Sequence, residues 1–178
     1  MIVIKTWATL AINKITFLSL TQFTALLVVA VFAPLFSNQL VTGSLVNASL
    51  FIAAATLGLE GAILIGLLPS TFALLFGTLP IALAPVIPFI ILSNILLVLV
   101  IASFKKSNYW LSFPLAAIIK FIFLFTVSNW AFNLLFQGNL AKPIAIMLSW
   151  PQLITALIGA LLAIIVLQAG KFIGKPEL

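Results

Sequence analysis

Residues 44–77 read SLVNASLFIAAATLGLEGAILIGLLPSTFALLFG, and how this stretch is divided decides the fold. As one straight helix its 34 residues would extend about 50 Å. A bilayer core is only about 30 Å thick and is crossed by about 20 apolar residues. The one strong interruption is Gly58-Leu59-Glu60-Gly61, which places a tight turn there. The stretch then becomes two crossings, Ser44 to Leu57 and Glu60 to Gly77, and the shorter is tilted or extended into the polar residues before it.

The same reasoning applies outward along the chain. Residues 1–14, with Lys5, Trp7 and Lys14, read as an interfacial lead-in. The first crossing covers 15–36 and ends at Ser37-Asn38-Gln39. The run Ile15 to Phe36 is too long for a cleavable signal and lacks a small-x-small site, so it reads as a retained helix. The fourth crossing falls within 79–104. Pro80, Pro85 and Pro88 predict a loop or re-entrant piece over 77–88, with regular helix from Phe89. The fifth crossing covers 110–136 and the sixth 144–170, starting at Ile144 or Trp150. Residues 171–178 form a tail. The predicted architecture is an all-α integral membrane protein, a single domain of six transmembrane helices.

Composition agrees. Hydrophobic residues make up 65% of the chain and charged residues 6%, against about 25% charged in soluble domains. With six crossings, Lys5, Lys14, Lys105, Lys106, Lys171 and Lys175 fall on one side and Lys142 on the other. That asymmetry predicts cytoplasmic N- and C-termini in a plasma or inner membrane. The lysines stand singly or as one pair at the ends of apolar runs, so the net charge of +6 reads as topology rather than as a nucleic-acid surface.

Composition also excludes chemistry. There is no Cys or His, and the acids are Glu60 and Glu177 alone. Triads, carboxylate pairs and the usual metal or haem ligand sets cannot be assembled. An enzyme, a cofactor and a metal site are therefore not expected.

Lys120 is the most informative residue. It lies about ten residues inside the fifth crossing, where a charge normally faces protein or water. No acid lies at comparable depth, which makes an anionic ligand group a reasonable partner; snorkelling to an interface is the plainer alternative. Asn47, Asn94, Asn129 and Asn133 are further candidates for substrate binding, with interhelical hydrogen bonding as the alternative for each. Asn129 and Asn133 are four apart and share a face. Asn129 follows Lys120 by about two and a half turns, an approximate angular match. Trp130 is either an interfacial aromatic, like Trp7, Tyr109, Trp110 and Trp150, or a platform for a bound ring. Small residues recur at Ala54, Gly58, Ala62, Gly66 and Ser70, and at Ala156, Gly159, Ala160 and Ala163. They suit close helix packing within the chain or against another subunit.

Four segments carry a family resemblance: Gly43-Ser-Leu-Val-Asn47, Leu57-Gly-Leu-Glu-Gly-Ala-Ile-Leu-Ile-Gly-Leu-Leu-Pro-Ser70, Gly77-Thr-Leu-Pro80 and Ile87-Pro-Phe-Ile-Ile-Leu-Ser-Asn94. Together with Lys120-Phe-Ile-Phe-Leu-Phe125 they resemble the substrate-binding S components of energy-coupling factor (ECF) transporters, bacterial systems for vitamin uptake. The resemblance implies a small micronutrient substrate, bound near the outer side under the loop 37–43, with 77–88 helping to cover it. It also implies partners, a transmembrane coupling subunit and ATPases, since this chain has no phosphate-binding loop of its own. Many S components dock through an Ala-x-x-x-Ala face on helix 1; here that helix offers Thr21 with Ala25, and Ala30 with Ala33. Two other readings stay open: a non-transporting scaffold or assembly protein, and a small channel.

Overall fold

The computed structural model describes the backbone of residues 2–104, 108–135 and 146–173, and side chains over 17–81, 83–104, 108–129 and 146–170. The described chain is helical, with six long helices: α1 (Ile2–Phe32), α2 (Gln39–Thr56), α3 (Gly58–Leu75), α4 (Ile87–Ser103), α5 (Tyr109–Leu135) and α6 (Trp150–Ile173). Six segments are long and apolar enough to cross a membrane: Phe17–Phe36, Gln39–Thr56, Gly58–Leu75, Leu83–Ser103, Tyr109–Asn129 and Trp150–Gly170.

The helix ends follow from local chemistry. No Gly or Pro occurs between Ile2 and Phe32. The expected lead-in over 1–14 is therefore not a separate piece but part of one continuous helix from Ile2. Pro34 tightens its end into a 3-10 turn over Ala33–Phe36, and Ser37 closes that turn in the left-handed conformation at φ 52°. Asn38 caps α2, its side-chain oxygen accepting from the N–H groups of Leu40 and Val41. The cap draws Gln39–Gly43 into α2, so the expected loop over 37–43 is mostly helix. The break between α2 and α3 falls at Leu57 and Gly58, where Gly58 takes φ 83°.

Gly77, at φ 70°, follows α3. The proline-rich segment forms a turn and then a 3-10 helix over Ile81–Val86 that contains Pro85. Pro88 sits in the first turn of α4, where a missing N–H is tolerated, so α4 begins at Ile87 rather than Phe89. The expected loop 137–143 and Lys105, Lys106, Lys142 and Lys175 lie outside the described residues.

Helix α2 is central and packs against α1, α3, α4 and α6, while α5 bridges α4 and α6. Its contact with α6 is the most extensive in the described bundle. A Cβ on Gly43 would stand 2.8 Å from Thr155 Cβ, and a Cβ on Gly159 would stand 2.7 Å from Asn47 Cβ and 2.8 Å from the Ala48 nitrogen. Ala156, Ala160 and Ala163 are buried in the same core as Ala53 and Ala54, so these small residues pack within the chain. Phe51 and Phe113 meet there with ring centroids 4.5 Å apart. Outside, the bundle presents Phe17, Leu20, Val28, Leu64, Leu92, Ile122, Leu161 and Ile165. An apolar exterior of this extent suits lipid rather than water.

Candidate functional site

One end of the bundle holds a cavity of about 380 Å³. The turn after α1, the start of α2, the end of α3, the 77–90 segment and the start of α6 contribute its walls. Pro34, Asn38, Gln39, Thr42, Val46, Pro69, Leu79, Leu83, Ile90 and Gln152 are among its lining residues. Its rim is pinned by polar contacts: Gln39 Nε2 donates to the Met147 carbonyl at 2.7 Å and Thr42 Oγ1 to the Ala33 carbonyl at 3.0 Å.

Lys120 reaches this cavity from α5. It lies on the stripe Phe113, Ala116, Ala117, Lys120 and Leu124, the face turned to the other helices, and is only 3% exposed. Its Nζ donates to Asn47 Oδ1 at 2.6 Å and to Asn94 Oδ1 at 2.7 Å. Three helices thus converge on one ammonium. Both asparagines are buried and are themselves held in orientation. Asn94 Nδ2 donates to the Gly66 carbonyl at 3.0 Å, and Asn47 Nδ2 lies 3.5 Å from Thr155 Oγ1. The close approach of Gly66 to Asn94, with a virtual Cβ 3.3 Å from Asn94 Cβ, lets that amide reach the α3 backbone.

The electrostatics are lopsided. Two neutral oxygens satisfy two of the three donors of the ammonium but cancel none of its charge. Among the described residues the one acid is Glu60, exposed in the first turn of α3 at the opposite end of the bundle. An unpaired buried charge is costly.

Of the residues singled out by sequence, Lys120, Asn47 and Asn94 are brought together and line the cavity. Asn129 is not part of this group. It is exposed, and its Nδ2 donates to the Phe125 carbonyl one turn back. Nine residues is two and a half helical turns, so Asn129 stands on the face opposite Lys120. The side chains of Trp130 and Asn133 lie outside the described residues.

Of the remaining polar lining, Ser37, Asn38, Gln39, Thr42 and Thr78 fall within the segments 37–43 and 77–88 that the resemblance placed over the ligand, without being singled out as residues, whereas Ser70 and Gln152 lie outside them. Ser and Thr in helices usually back-bond to their own turn, as Thr71 and Ser103 do here, and nothing in sequence marks the exceptions. Neither is there a cluster of metal-ligating side chains among the described residues.

The chain matches no protein-family model, no curated protein sequence and no solved structure.

Proposed function

We propose that this chain is a membrane-embedded binding subunit for a small anionic micronutrient, energised by separate coupling and ATPase subunits in the manner of the ECF S components it resembles. The observation that carries the reading is the Lys120 ammonium. It is buried, held by two neutral amide oxygens, and presented to a cavity with no carboxylate among its described lining residues. A ligand carboxylate or phosphate completes that arrangement, and a charge-assisted bond in a low-dielectric site is among the stronger polar contacts. The cavity volume also falls in the range of small-molecule sites.

The lysine distribution supports cytoplasmic termini, and six crossings then turn the cavity end outward, toward an external supply of substrate. Transport through such a site needs an energy source that this chain does not encode, hence the partner subunits.

Native mass spectrometry of the gently purified protein tests the reading. A retained small anion, lost in Lys120→Met, is the expected result. Partner subunits with no small molecule would favour a scaffold instead, and ion flux in liposomes without partners would favour a channel.

A further inference from the structure

Two glutamines meet at the mouth of the cavity. Gln39 opens α2, Gln152 lies in the first turn of α6, and both line the cavity. Each donates its side-chain N–H to one acceptor, the Met147 carbonyl, Gln39 at 2.7 Å and Gln152 at 3.3 Å. Sharing that carbonyl fixes the two side chains by their nitrogens. Both amide oxygens are left over: neither is buried, and no described group donates to either. An amide oxygen can only accept, so the pair calls for a donor. The glutamines and the Lys120 node stand at different depths. Asn47 follows Gln39 by eight positions along α2, about 12 Å of helix. On α6, Gly159 packs against Asn47 and follows Gln152 by seven positions, about 10 Å. Between the two levels the wall is aliphatic, with Val46, Pro69, Leu83 and Ile90. Lys120 is the one charged side chain among the described lining residues.

We propose that the site takes a two-ended ligand, with an anionic group on Lys120, a short aliphatic body along Val46 and Ile90, and an uncharged primary amide received by Gln39 and Gln152. The proposal rests on the anion-binding reading above and narrows the substrate class to monoanionic acids whose far end carries N–H donors. A primary amide has two N–H groups, one for each glutamine oxygen, whereas a hydroxyl has one and an ester none. Its neutrality suits a mouth built of dipoles, with no counter-charge among the described lining residues. A hydrogen bond at each end takes up about 3 Å of the distance between the two levels, so the body that joins the ends is short. An acid with a purely apolar end leaves both glutamine oxygens unmatched, and sites built to pair with a polar group discriminate against analogues that lack it.

The test measures binding to the purified full chain in detergent, by calorimetry. The probes are the monoamides of succinic, glutaric and adipic acids. Each is matched at its own length by the monomethyl ester, which keeps the carbonyl and loses the donors, and by the branched acid with an isopropyl end. In wild type, at one length or more, the amide should bind about tenfold tighter than its ester and its branched acid. The double variant Gln39→Met, Gln152→Met should bring the amide down to the level of the branched acid while both still bind, a pattern that a general loss of structure would not give. Lys120→Met should weaken every probe. An amide that binds no tighter than its ester at any length, or a preference that survives in the double variant, overturns the role of the glutamines and leaves the anion site standing. Binding that ignores Lys120→Met overturns the anion site, and the glutamine preference is then read on its own. Failure of every probe to bind overturns both.

Discussion

Lys120 and Asn47, separated by 73 positions in the chain, meet at 2.6 Å between Nζ and Oδ1. Asn94 Oδ1 accepts from the same nitrogen at 2.7 Å, so the contact ties α2, α4 and α5 into one polar node inside an apolar bundle. Removing one acceptor leaves a buried ammonium under-satisfied. Asn47→Leu or Asn94→Leu should each lower stability by about 1–3 kcal/mol, read as thermal unfolding in detergent. No change in either variant would mean that the node is not formed in the folded protein.

Replacing the whole node should behave differently from breaking it. Lys120→Met alone strips two buried carbonyls of their donor and should weaken binding of an anionic substrate at least tenfold, about 1.4 kcal/mol. The triple variant Asn47→Leu, Asn94→Leu, Lys120→Met removes the ammonium and both of its acceptors together. Such exchanges are often neutral or stabilising, so this variant should unfold at or above the wild-type temperature while binding nothing. A triple variant less stable than each single one would show that the node is needed for folding as well as for binding.

The α2–α6 contact gives a packing prediction. Gly159→Ala puts a methyl group 2.8 Å from the Ala48 backbone nitrogen, which cannot yield as a flexible side chain can. The expected loss is about 1–3 kcal/mol. Gly170→Ala meets nothing within 4 Å and serves as the control, with a gain of about 0.5–1 kcal/mol from helix propensity. Equal stabilities for the two variants would contradict the close approach of these helices.

Topology is open to direct measurement. Reporter fusions after Phe104 and after Gly170 should report cytoplasmic, and a fusion after Gln137 should report external. An external signal next to Lys105 and Lys106 would reverse the orientation inferred from the lysines.

Much of the bundle was legible because apolar length alone counts helices, and Gly58 marks where two of them divide. The helix ends were less so. Asn38 and the glycine-free run from Ile2 to Phe32 lengthened α2 and α1 beyond their apolar cores. In the site, rarity made Lys120, Asn47 and Asn94 visible, since polar groups deep in apolar helices need a reason. Asn129 shows the limit of rarity without phase, for half a turn of misfit puts it outside.

The chain order of the polar node bears on biogenesis. Asn47 and Asn94 both precede Lys120, so when α5 leaves the ribosome its two acceptors have already been made. The most expensive residue in the sequence thus enters an environment prepared for it, and need not wait in hydrocarbon for a later partner. Helix α6 comes last and docks on α2 through Gly43 and Gly159. A chain arrested before α6 would carry the Lys120 node with its α2 flank uncovered.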